Sequence, residues 1–186
     1  QCLFMRKEKM MNLDLGSDGD VQYISWKAQE QTWDVDGEKC ELKQFLIAPD
    51  SIKIGQGKLE KGQSPIWKWN DTPGSKVKID KDSGFKKAFF LMVYLSEKQG
   101  SPISGWREWI SNQRASRDAV SKVFDQMGKD WAESKKAALI EYDGHEMMEF
   151  GPAKVAVPKL KFVKFVDAPE MAPAATETDD NKPEFE

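Results

Sequence analysis

Over most of its first hundred positions the chain alternates apolar and polar residues with period two, the pattern of half-buried strands. Val21 to Trp26 sets Ile24 and Trp26 on one face against Val21, Tyr23 and Ser25 on the other. Asp36-Gly37, following Trp33-Asp34-Val35, is a hairpin turn signal. Glu41 to Ile47 alternates again and stops at Ala48-Pro49-Asp50, and short strands are predicted at Ser51 to Ile54 and over Pro65-Ile66-Trp67-Lys68-Trp69. In the last of these, strand geometry puts both tryptophans on one face and Ile66 and Lys68 on the other. Lys76-Val77-Lys78-Ile79-Asp80 predicts a half-exposed strand with a lysine row. Ala88 to Leu95, AFFLMVYL, is apolar on both faces and is predicted as the central strand, buried on either side.

Helical spacing enters only afterwards. Trp106, Trp109 and Ile110 at i, i+3, i+4 predict a short helix. Ser116 is the predicted cap of a longer one, with Val120, Val123, Phe124 and Met127 as its stripe and Gly128 at its end. Lys136 to Tyr142 and Met147 to Phe150 predict a hairpin around Asp143-Gly144. Val155 to Val157 and Leu160 to Val166 close the pattern, with Pro158 marking an edge or a bulge. The sum is a mainly β (β-rich α+β) chain: a flexible lead-in over 1–20, one domain over 21–166 with one or two helices, and a disordered tail over 167–186. This order is compatible with an oligonucleotide-binding (OB) fold, a partly open Greek-key barrel that binds strands across one face.

Charge sharpens the division. The tail holds Asp167, Glu170, Glu177, Asp179, Asp180, Glu184 and Glu186 against Lys182, a formal −6, and with −3 for the whole chain residues 1–166 carry +3. A mildly basic body therefore bears an acidic arm too poor in apolar residues to offset the entropy of ordering it. Two cysteines and one histidine leave no disulfide framework and no thiolate zinc cluster, and make any Ser-His or Cys-His mechanism depend on His145, which follows a turn signal and is read as a surface residue. Gly55-Gln56-Gly57-Lys58 lacks the Gly-Lys-Ser/Thr closure of a phosphate loop, and Asp14, Asp18 and Asp20 fit no calcium loop. No cofactor and no metal is expected. No stretch matches a membrane span or a signal peptide, so a cytoplasmic protein without membrane association is expected.

Proteins that hold single strands without reading sequence combine basic residues along the backbone with aromatics on which bases stack. The candidates are Trp67 and Trp69 with Lys68, Lys76 and Lys78, Trp26 beside Lys27, and Lys86 and Lys87 beside Phe89; Arg107, Arg114 and Arg117 form a second basic group.

The terminal octet, Asp179-Asp180-Asn181-Lys182-Pro183-Glu184-Phe185-Glu186, resembles the acidic tip of bacterial and phage single-stranded DNA-binding proteins. With the aromatic and lysine-bearing body before it, the chain resembles the phage-type members of that family. It departs from the pattern where Lys182 interrupts the acids, Glu184 separates Pro183 from Phe185, and Glu186 follows the aromatic. The resemblance implies sequence-independent coating of single-stranded DNA in phage replication or recombination, inside the bacterial host cytoplasm. It also implies recruitment of replication or repair proteins through Asp179, Asp180, Pro183 and Phe185, and no catalytic residue, hence no enzyme. Two rivals stand beside it: a β-rich carbohydrate-binding, protein-binding or virion module, and a metal-dependent nuclease using carboxylates such as Glu141, Asp143, Glu146 and Glu149. Oligomeric state and DNA against RNA preference stay open at this level.

Overall fold

The computed structural model describes residues 22–70 and 76–169. The predicted lead-in and the tail tip with Asp179, Asp180, Pro183 and Phe185 lie outside the described residues. The described chain is mainly β, in open sheets rather than a closed barrel.

Strands β1 (Ile24–Lys27), β2 (Thr32–Val35) and β3 (Glu38–Cys40) form an antiparallel meander. Its β2–β3 turn is the predicted Asp36-Gly37, with φ of 53° and 87°; both values lie in the left-handed region that Asp tolerates and Gly occupies freely. Asp34 Oδ1 accepts a hydrogen bond from the Gly37 amide at 2.9 Å and fixes the turn.

The large sheet has the order β7-β6-β4-β8-β9, with β5 beside one end of β4. Here β4 is Gln44–Lys58, β5 is Ile66–Trp69, β6 is Lys86–Leu95, β7 is Gly105–Ser111, β8 is Ala137–Phe150 and β9 is Ala153–Val166. From β4 the chain passes outward through β6 and β7. It then crosses by helix α1 (Arg114–Met127) and the single turn α2 (Trp131–Ser134) to β8 on the other side of β4. A fourth strand returning to lie beside the first is the Greek-key arrangement. No ladder joins β7 to β9, and the meander lies across that seam. Its leading edge bonds β7 through the Glu108 amide and the Gln22 carbonyl at 3.0 Å, and the buried Trp26 Nε1 donates to the Ala156 carbonyl of β9 at 2.9 Å.

The core sits between the sheet, the meander and α1. Trp33 lies edge-on to Trp26, Phe45, Trp109 and Tyr142, with centroids 5.2–5.7 Å apart, and each such pair adds about 0.5–1.5 kcal/mol beyond its area burial. Helix α1 covers this cluster with Ala115, Ala119, Val120, Val123 and Met127, a stripe of helical period, and it ends as predicted at Gly128, φ 70°.

Several expectations are corrected. Trp106, Trp109 and Ile110 are in β7, not a helix, because pairing with β6 settles a segment that also alternates. The cap of α1 is Gln113, and Ser116 lies buried inside the helix. Of the predicted strand Glu41–Ile47 only residues 44–47 are strand, and with Ser51–Ile54 they belong to one long β4, bent where residues 49–52 stand opposite Leu91 alone; Ser51 Oγ makes the bend possible by donating to the Ala48 carbonyl and accepting from the Met92 amide. The Asp143-Gly144 turn is instead a register shift within β8, and the hairpin reverses at Gly151-Pro152. His145 is consequently a half-buried strand residue, 6.3 Å from the Trp26 ring, rather than a surface turn residue. Residues 76–80 form no strand. The central strand is β4 rather than β6, whose second face is only half-buried.

Candidate functional site

β5 pairs with the far end of β4, setting Trp69 opposite Gly55 and Trp67 opposite Gly57. The glycines are the reason this hairpin can carry two indoles side by side. A Cβ on Gly57 would fall on the Trp67 ring, and one on Gly55 would strike the Lys68 carbonyl. With both missing, the Trp67 ring lies flat on bare backbone and stacks on Trp69, with centroids 5.8 Å apart and planes 8° from parallel. Both rings are half-buried.

Directly opposed residues of an antiparallel ladder share a face, so the register extends this surface. Gly57 pairs with Lys86, Gly55 with Ala88 and Lys53 with Phe90 across β4 and β6; Phe90 pairs with Ile110 and Tyr94 with Trp106 across β6 and β7. The opposite face holds Phe89, Leu91, Val93 and Leu95 in the core. The outer face therefore runs from Trp67 and Trp69, over Phe90, to the edge-to-face Tyr94–Trp106 pair at 5.2 Å. Cations flank it: Lys53 Nζ stands 4.9 Å from the Phe90 centroid, and Lys86 is exposed beside Trp67. Glu108 is its one carboxylate among these paired positions.

The sequence-predicted candidates divide three ways. Trp67, Trp69 and Lys86 share the outer face. Lys68 and Lys87, which pair with Gln56, point to the other side of the same strands, where Lys68 Nζ caps the buried Phe85 ring at 4.5 Å. Gln56 also ties down the segment carrying Lys76 and Lys78 by bonding the Lys78 carbonyl and the Asp80 amide, so these exposed lysines border that side. Trp26 and Phe89 are 1% and 2% exposed. Neither can serve as a stacking platform: Trp26 bridges the meander to β9, and Phe89 packs edge-on to Trp109 in the core.

A groove of about 1060 Å³ opens where β4 bends away from β5, between that bend and α1. Trp69, Lys87, Arg114, Arg117, Phe124 and Trp131 line it. Arg114 is held over the Phe150 ring at 4.8 Å. Burial and the neighbouring Arg114 charge lower the pKa of Arg117. Arg107, the third member of the predicted basic group, is instead buried and bonded to Asp36 at 3.1 Å.

The carboxylates of the nuclease alternative lie along β8. Asp143 faces Lys159 at 3.6 Å and Glu146 faces Lys122 at 3.2 Å. Among the described residues no cluster of metal-ligating side chains occurs, and no helix is long and apolar enough to cross a membrane.

Sequence reading missed Phe90, Tyr94, Trp106 and Lys53. The signal lies in the double apolar face of AFFLMVYL, which fits a strand with one half-buried aromatic face as well as one buried on both sides, and in the alternation of Gly105–Ser111. Comparison of the chain with protein-family models, curated proteins and solved structures finds no match.

Proposed function

We propose that the protein binds single-stranded DNA without reading its sequence, laying bases on the outer face of β5, β4, β6 and β7. The observation that carries this reading is the parallel Trp67–Trp69 stack on its glycine floor, continued by Phe90 and flanked by Lys53 and Lys86. Every base has a π-face, so stacking tolerates any sequence, at about 1–3 kcal/mol per base. The lysines meet phosphates and make affinity fall as salt rises. Replication or recombination in a bacterial host's cytoplasm is the setting that goes with this role. The acidic arm then has two uses: to recruit partner proteins through Asp179, Asp180, Pro183 and Phe185, and to compete with DNA for the body at high local concentration.

The test is tryptophan fluorescence during titration with a thirty-base oligothymidine at low and high salt. Saturable quenching that weakens with salt supports the reading. No change at low salt removes it. Quenching by oligosaccharides, indifferent to salt, would move the assignment to a carbohydrate-binding module.

A further inference from the structure

Trp69 belongs to two surfaces. It is half of the outer-face stack, and it also stands at the rim of the groove between the β4 bend and α1. The groove opens on the opposite face of the sheet, the side of Lys87 and Phe89, so a polymer on the outer face reaches it by passing round the sheet edge at Trp69. The walls beyond Trp69 are not those of a purely structural cleft. Arg114 and Arg117 occupy the first turn of α1, where the positive end of the helix dipole disfavours cations, and neither an acid in that turn nor a side-chain cap offsets them. The Arg117 Nε is buried without a hydrogen-bond partner among the described residues. Lys87 adds a third charge from the β6 side. Asp118, the nearest acid in sequence, is engaged by Lys122 at 3.1 Å. Asp125 lines the groove three turns further along the helix, roughly 16 Å from Arg114 at about 1.5 Å per residue. Asp50 and Lys53, from the β4 bend, line it as well, so four cations face three carboxylates, one of them paired; the groove is net basic, and Arg114 and Arg117 set its positive end at the start of α1.

We propose that this end of the groove clamps the phosphodiester backbone of the single strand as it leaves the outer aromatic face, with Arg114 and Arg117 as the principal contacts and Lys87 as a third. An anion there relieves the Arg114–Arg117 repulsion and complements the helix dipole. Arg is suited to this because its planar fork meets two phosphate oxygens at once. The proposal rests on the single-strand reading above and extends it by a second, electrostatic segment.

The experiment measures binding of the thirty-base oligothymidine to the full chain and to Arg114→Gln/Arg117→Gln over a salt series. Each lost phosphate contact lowers the slope of log K against log salt by about 0.7. The double variant is expected to lose about 1.4 from that slope and to bind on the order of tenfold more weakly at 0.1 M salt. Saturating quenching at low salt is retained, because the Trp67–Trp69 pair is untouched. Arg114→Lys/Arg117→Lys should restore most of the slope. Ser121→Glu, which sets a carboxylate at an exposed position of the groove wall, should weaken binding in the same sense, and it decides the matter if the double variant fails to fold. Salt slope and affinity unchanged in the double variant, or in Ser121→Glu where that one decides, would overturn the clamp while leaving the outer-face reading intact. A wild-type chain that does not bind at all would remove both.

Discussion

Gly57 governs the candidate site without touching a ligand itself. Its missing side chain is the floor for Trp67, so Gly57→Ala must push the ring off β4 or bend the strand; overpacking of this kind costs about 1–3 kcal/mol. We expect the near-ultraviolet circular dichroism of the stacked indoles to change and oligothymidine affinity to fall. The tryptophans themselves separate by burial. Trp67→Ala and Trp69→Ala should leave a folded protein that binds more weakly by about 1–3 kcal/mol for each base platform lost. Trp33→Ala, at 1% exposure in the middle of the aromatic cluster, should instead cost about 3–5 kcal/mol of stability, and urea denaturation beside the titration tells the two classes apart. Tyr142 supplies a pH dependence. Burial raises its phenol above the ordinary 10.0, so the folded chain holds that proton more tightly than the unfolded one. The resulting stability is complete below pH 10.0 and is lost as pH rises through the raised value. Tyr142→Phe should accordingly lose less of its urea midpoint between roughly pH 9 and 11 than the wild type does.

Among the elements, the meander β1–β3 is what the open sheet requires. Strands β7 and β9 leave a seam, and the meander spans it through the Gln22–Glu108 backbone bond on one side and the Trp26 indole on the other. Trp26→Phe keeps most of the apolar contact but leaves the Ala156 carbonyl without its donor, at a cost of about 1–3 kcal/mol. Amide exchange in β1 and at the middle of β9 should accelerate together in this variant, and a change confined to β1 would argue against the bridging role. Element identity was legible where one period stood alone. Asp36-Gly37 announced its turn, and Val120, Val123 and Met127 announced α1. It was not legible at Trp106 to Ile110, where i, i+3, i+4 spacing and strict alternation both fit and only the ladder to β6 chooses. Nor was it at Asp143-Gly144, where a turn dipeptide sits inside a long strand as a register shift because the pairing on both sides of it continues.

For the whole molecule the decisive property is the division of charge. A +3 body tethered to a −6 arm makes self-competition a function of salt and of the arm. Removing residues 167–186 should leave the fold unchanged by circular dichroism and raise affinity for single strands, most at low salt where screening is weakest; equal or lower affinity would argue against competition by the arm. Composition and period by themselves determined that the chain is mainly β, that a helix follows the early strands, that Trp67 and Trp69 share a face and that body and arm carry opposite charge, because each is a local property of neighbours in sequence. Only the tertiary structure decided that Trp26 and Phe89 are core while Phe90, Tyr94 and Trp106 are not. It also decided that Gly57 forms a floor under Trp67 and Gly55 admits the β5 backbone, rather than the two belonging to a loop, and that Arg114 and Arg117 line a groove that Trp69 also lines. Those facts depend on which strands become neighbours and which face the helix covers. Sequence spacing fixes a residue's side of its own strand, but the partner strands decide whether that side is buried.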